Sequence, residues 1–218
     1  MRTAVFDLDG TLADTSQDLL LAANAVLDQP NLSLETDRAL AVRGGRAMLR
    51  TAFERAGIAW KEADIDLRYG EFLKVYARQL AVNTTLYPGV ATALDTLQDA
   101  GWIAAICTNK PAALAEDLMQ QLGLRDRFAA LLGADTLDVK KPDPRHLLET
   151  ISRAGGSAAR AVLIGDSETD SSTAQSAQVP CILVNFGPAG RAVSALAADA
   201  YLDHFDDLPQ VAGNLVPA

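Results

Sequence analysis

Asp7 and Asp9 stand two residues apart directly after a short apolar run. Alternate positions of an extended chain point to the same side, so the two carboxylates share a face. Gly10 and Thr11 follow, and a tight turn there would leave backbone N–H groups free to face an anion. Further along, Thr108 and Asn109 close a second apolar run with a hydroxyl and an amide, and Lys141 offers a cation. Gly165, Asp166 and Ser167 close a third run, with Asp170 just beyond. In open α/β sheets ligands sit outside the carboxyl ends of the strands, which makes these clusters one set.

Asp7, Asp9, Asp166 and Asp170 brought together would repel one another, and each would favour its protonated form unless a cation sat among them. An all-oxygen donor set without His or Cys calls for a hard ion, and Mg2+ suits it because it accepts few protein ligands and keeps waters or phosphate oxygens. The chain carries 19 Lys and Arg against 28 Asp and Glu, a formal charge of -9, so its overall field repels an anionic substrate. A divalent ion with Lys141 restores positive charge where it is needed. Phosphoryl transfer fits such a site, since the protein mainly positions reactants and neutralises oxygens that gain charge. One carboxylate must then attack and another must shuttle protons; Asp7 takes the first duty and Asp9 the second.

The elements that must deliver these groups follow from periodicity. Residues 3–6, 102–107, 161–164 and 181–184 are short β-prone runs, and residues 201–202 suit a last short strand. Between them lie amphipathic helix patterns, such as Leu114, Leu118, Met119 and Leu122 before Gly123, and Leu147, Leu148, Ile151 and Ala154 before Gly155. Strand then helix, repeated, predicts a parallel α/β sheet. Residues 15–82 differ, with three helix patterns and hardly a strand. Leu19, Leu20, Ala23, Val26 and Leu27 share one face, Leu49, Ala52, Phe53 and Ala56 a second, and Phe72, Leu73, Tyr76 and Leu80 a third. The expected organisation is a core from residues 1–14 and 83–218 with a helical insert at 15–82.

With these pieces in order, the chain resembles the haloacid dehalogenase-like hydrolases. The matching residues are Asp7-Leu8-Asp9-Gly10-Thr11, then Thr108-Asn109, then Lys141 before Pro142-Asp143-Pro144, then Gly165-Asp166-Ser167-Glu168-Thr169-Asp170. The resemblance spans nearly the whole chain. It implies a Rossmann-like core with a small helical cap after the first strand, and Mg2+ held by Asp7, the backbone carbonyl of Asp9 and Asp166, with Asp170 in the outer shell. It also implies that Thr108 and Asn109 bind phosphoryl oxygens and that Lys141, rather than its neighbour Lys140, pairs with nucleophile and phosphate. Thr108-Asn109-Lys110-Pro111, the Tyr87-Pro88-Gly89-Val90 lead into a helix and the small cap look most like phosphoglycolate phosphatases. In the cap, Arg43-Gly44-Gly45-Arg46 falls where relatives carry a substrate-reading loop, and Arg46, ahead of Arg43, is the expected grip on a carboxylate or phosphate.

The expected partner is therefore a small phosphorylated metabolite, with sugar phosphates and nucleotides as other substrates open to the same motifs. A sugar phosphomutase of the same fold is the alternative. A phospho-accepting signalling receiver is disfavoured by the helical insert, a dehalogenase by the acid at position 9, and a serine hydrolase by the absence of Gly-x-Ser-x-Gly. Scattered basic residues exclude a nucleic-acid or bilayer footprint, and nothing specifies an oligomeric state. Cys107 and Cys181 read as buried thiols, His146 and His204 as surface or helix-end residues. No apolar run approaches the roughly 18 residues of a membrane span, and a cytoplasmic location is expected.

Overall fold

The first apolar run forms strand β1 (Arg2–Phe6), in which Thr3, Ala4, Val5 and Phe6 are wholly buried. The computed structural model describes residues 1–218, and β1 lies inside a six-stranded sheet. Two short strands, β2 (Ala13–Asp14) and β3 (Thr85–Leu86), form a small sheet of their own. The large sheet adds β4 (Trp102–Cys107), β5 (Ala130–Leu132), β6 (Ala161–Gly165), β7 (Cys181–Val184) and β8 (Ala200–Leu202) in the order β5-β4-β1-β6-β7-β8. Every pairing in it is parallel, for example Phe6 with Ile106 on one side and with Ile164 on the other. Strands buried on both faces read as continuous apolar runs, which is why the sequence reveals them. The chain leaves β1 in both directions, so the carboxyl ends of β1, β4 and β6 border the topological switch.

Two compact units divide the chain, Met1–Ala13 with Leu86–Ala218, and Asp14–Thr85. The second begins one residue earlier and ends three later than the bounds set by the helix pattern. It holds four helices where three were expected: α1 (Ser16–Asn24), α2 (Leu34–Ala41), α3 (Gly45–Arg55) and α4 (Glu62–Arg78). Helix α2 escapes a search for apolar spacing because its buried positions are Asp37 and Ala41. Asp37 is instead gripped by Arg55 at 2.6 and 2.8 Å, and that guanidinium draws its carboxyl down to about 2. Helix α1 stops before Val26 and Leu27, short of the expected face. The Asn24 carboxamide closes the following loop, accepting from the backbone N–H groups of Asn31 and Leu32 and donating to the Leu32 carbonyl. On α1, buried Asp18 accepts bonds of 2.7 to 3.1 Å from the backbone and side chains of Asn83 and Thr84, fastening the returning segment. No helix of either unit is long and apolar enough to cross a membrane.

The sheet unit carries α5 (Val90–Asp99), α6 (Ala112–Gln121), α7 (Pro144–Arg153), α8 (Glu168–Ala177) and α9 (Leu208–Leu215). Helices α7 and α8 pack on each other and on β1, β4 to β7, while α5 packs on β4 and α9. Leu147, Ile151 and Ala174 from the first pair meet Val5, Ala105, Cys107, Leu163 and Leu183 of the strands in one buried cluster. Each such large aliphatic chain withdrawn from water contributes about 1.5–3 kcal/mol. Both cysteines are free and buried, and burial pushes the Cys107 thiol up to about 12. Strand β5 was not foreseen, because it is a three-residue edge strand with no β-branched residue.

Candidate functional site

Strand β1 delivers Asp7 at its carboxyl end, where the Asp7 N–H still donates to the Ile164 carbonyl of β6 at 2.9 Å. The chain then winds tightly. Gly10 takes a φ of +85°, and a Cβ at that position would lie 2.5 Å from Asp166 Oδ2, so two independent constraints require glycine. This turn corrects one expectation. The Gly10 N–H donates to the Ala13 carbonyl and the Thr11 N–H to the Leu8 carbonyl, so neither is free to face an anion. The Thr11 hydroxyl, wholly buried, donates to Asp166 Oδ1 at 3.0 Å and orients that carboxylate.

Thr108 directly follows strand β4; its N–H donates to the Leu132 carbonyl of β5 and its hydroxyl oxygen accepts from the Lys110 N–H. That leaves the Thr108 O–H hydrogen to donate elsewhere. Asn109 is exposed, and its amide donates to the Lys141 carbonyl at 2.9 Å, tying the β4 end to the lysine's loop. Lys141 is 2% exposed, with its ammonium 3.0 Å from Asp7 and 2.7 Å from Asp170, while Lys140 is exposed. Beyond β6, Ser167 caps α8 in a reciprocal box with Asp170. Asp170 Oδ2 accepts from the Ser167 hydroxyl and N–H and from the Asp166 N–H, and its Oδ1 accepts from Lys141. Both oxygens of Asp170 are thus engaged by protein donors.

Lys110 has no assigned role in the sequence reading. Its ammonium reaches both carboxylate oxygens of Asp9, at 2.9 and 3.2 Å. The signal was present, since Thr108 and Lys110 share the spacing of two that joins Asp7 to Asp9. His146 departs from the surface position expected of it: it is wholly buried in the first turn of α7, near the Gly133 carbonyl at 3.1 Å and Cys107 Sγ at 3.5 Å. His204 is half exposed at a helix end, its Nδ1 accepting from the Asp206 N–H. In the helical unit, the Arg46 guanidinium pairs with Asp66 and stacks 4.4 Å from the Tyr69 ring centre, whereas Arg43 is exposed.

The electrostatics of the cluster leave a definite deficit. Carboxylate oxygens of Asp7, Asp166 and Asp170 lie within 4.8 Å of one another. Burial, joined by the charges of Asp170 and Asp7, holds the Asp166 carboxyl well above its usual range. Burial likewise lifts Asp7 to about 6, with Lys141 pulling it back. Burial disfavours the Lys141 ammonium, but Asp170 and Asp7 outweigh it and keep the charge. Asp166 Oδ2 is buried and accepts no hydrogen bond, and Asp7 Oδ1 faces Lys141 by charge without an aligned bond. With all four carboxylates ionised, Lys141 and Lys110 would leave two negative charges, the complement of one divalent ion, and without that ion burial and the surplus together push Asp166 and Asp7 toward their protonated forms. Asp7 and Asp166 therefore have the chemistry to hold a hard cation, which the unbonded Asp166 Oδ2 would serve.

Comparison with known proteins agrees with this geometry. Residues 4–184 match the model of a haloacid dehalogenase-like hydrolase. The chain is 42% identical over 207 residues to a phosphoglycolate phosphatase of Mesorhizobium japonicum, covering 94% of this chain and 91% of that one. It is 38% identical to one of Caulobacter vibrioides over 95% of this chain and 89% of the relative. A crystal structure of a predicted phosphoglycolate phosphatase from Haemophilus somnus 129pt superposes with a TM-score of 0.85 at 25% identity, covering 97% of both chains. CbbY from Rhodobacter sphaeroides in complex with phosphate superposes with a TM-score of 0.77 at 25% identity, over 95% of this chain and 96% of that one.

Proposed function

The chain belongs to the haloacid dehalogenase-like hydrolases and is a phosphoric monoester hydrolase, and from that premise we propose that it is a Mg2+-dependent phosphatase acting through Asp7, with phosphoglycolate as substrate. The observation that carries the reading is the buried cluster of Asp7, Asp166, Asp170 and Lys141, in which Asp166 Oδ2 is buried and accepts no hydrogen bond. Phosphoglycolate is favoured because relatives at 42 and 38% identity bear that name over most of their length.

In this reading an oxygen of Asp7 attacks phosphorus as the ester P–O bond breaks. The leaving oxygen takes a proton from Asp9, and the phosphoryl group rests on Asp7. Water then attacks phosphorus, giving its proton to Asp9, and Asp7 is regenerated as phosphate departs. The Lys141 ammonium neutralises charge on Asp7 and the incoming phosphoryl oxygens, while the Thr108 hydroxyl and the Asn109 amide bind those oxygens. Asp7, Asp166 and the Asp9 carbonyl would hold Mg2+, which would supply the positive charge needed for a phosphate dianion to enter a cluster of carboxylates. Asp170 positions Lys141 and Asp166 rather than meeting the ion.

The test is phosphate release from a panel of phosphoglycolate, sugar phosphates and nucleotides, with and without Mg2+, by the parent and two variants. Asp7→Asn should abolish turnover with its melting curve preserved, and Asp9→Asn should cost about 10²- to 10⁴-fold. Near-parental turnover by Asp7→Asn, or a phosphate isomer formed without release of inorganic phosphate, would overturn the reading.

A further inference from the structure

Lys110 is the second cation of the sheet's carboxyl edge, and the reaction as described so far makes no use of it. Its side chain is 3% exposed against 17% for Asp9, so the ammonium is the buried member of the pair. A lysine held this deep loses its hydration, which is tolerable only where fixed acceptors replace water. Its backbone is anchored on both sides. The Lys110 N–H donates to the Thr108 hydroxyl at 3.1 Å, and the Lys110 carbonyl accepts from the Ala134 N–H at 2.9 Å. Gly133 lets this loop close, since a Cβ there would lie 2.7 Å from the Lys110 carbonyl oxygen and 2.4 Å from the Ala112 nitrogen. A flexible side chain thus starts from a fixed point and reaches both oxygens of one carboxylate.

We infer that Lys110 is a positioning residue for the chemistry at Asp9: its two-oxygen grip aims that carboxyl group at the ester oxygen. The inference rests on the phosphatase reading above. Asp9 follows β1 in a tight turn and has solvent on one side, so without the grip its carboxyl group can swing through several rotamers. A proton passes well only between atoms held within hydrogen-bond reach, so losing that alignment slows the step in which the departing oxygen is protonated. Binding of the phosphoryl group, which falls to Lys141, Thr108 and Asn109, is left largely intact.

The effect should therefore depend on the leaving group. An alkoxide needs a proton to depart, whereas p-nitrophenolate leaves without one. First-turnover ester cleavage in Mg2+ is measured for the parent, Lys110→Met and Lys110→Arg with phosphoglycolate, or the best alkyl phosphate of the panel, and with p-nitrophenyl phosphate. The Met variant should lose about 10- to 100-fold more rate on the alkyl ester than on the aryl ester, with KM for the alkyl ester within about threefold of the parent, and Arg should recover much of the loss. Equal losses on both esters, or no loss, would overturn the assignment, as would a KM that rises while kcat is kept. Melting curves check folding; should the Met variant not fold, Lys110→Leu, which likewise has no donor to offer Asp9, is read by the same ratio. A parent that cleaves neither ester would remove the phosphatase reading, and this one with it.

Discussion

His146 illustrates how a single side chain couples the site's surroundings to pH. Burial, aided by the charge of Lys141, lowers its pKa from 6.5 to about 4, so the folded protein holds it neutral. The unfolded chain takes up the proton first, so this contribution to stability is intact above 6.5 and is lost as pH falls toward about 4. Urea unfolding of the parent and of His146→Gln should therefore diverge as pH falls from 6.5 to about 4, the parent losing more; parallel curves would show that His146 takes up its proton as readily in the fold as in the unfolded chain. Residue by residue, the grouping was legible in the sequence where an acid closely follows an apolar run, as for Asp7 and Asp166. It was illegible where partners are remote. The bond from Thr11 to Asp166 and the grip of Lys110 on Asp9 join residues that only the sheet brings together. The burial of His146, which sits at a helix end as one expectation had it, was hidden for the same reason, since its neighbours at Gly133 and Cys107 come from other elements.

Among the elements, strands buried on two faces declare themselves, and β1, β4, β6 and β7 were legible as runs. Helix α2 was not, because its inward face carries an acid matched to Arg55 rather than an apolar stripe. A related device fastens α1. Asp18 replaces water for both the backbone and the side chains of Asn83 and Thr84. Asp18→Ala should leave those donors stranded and cost about 1–3 kcal/mol of unfolding free energy, with faster amide exchange at Asn83 and Thr84. Exchange rates equal to the parent's would mean that the returning segment is held by packing alone.

For the molecule as a whole, a charge of -9 and a surplus of two negative charges inside the site act in the same direction. On the proposed Mg2+ dependence, both should make the protein more stable with a divalent cation than without, because an ion that binds only the folded chain shifts the equilibrium by mass action. At a hundredfold excess over Kd the gain is about 2.7 kcal/mol. Thermal melts of the parent should rise with Mg2+ and fall back with chelator, whereas Asp166→Asn, which keeps shape but loses charge, should show little of this response. Equal shifts in both proteins would move the ion elsewhere on the surface.

The parallel pairing of β1 with β4 and β6 also sets an order of events while the chain is being made. The strand synthesised first can find no neighbour until Trp102–Cys107 has emerged, and its other flank waits for Ala161–Gly165. Asp7 and Asp166 belong to those same strand ends, so a nascent chain cannot gather this carboxylate cluster until about three quarters of it has left the ribosome. Products truncated before Ala161 would lack the cluster and leave the apolar first strand without its second neighbour.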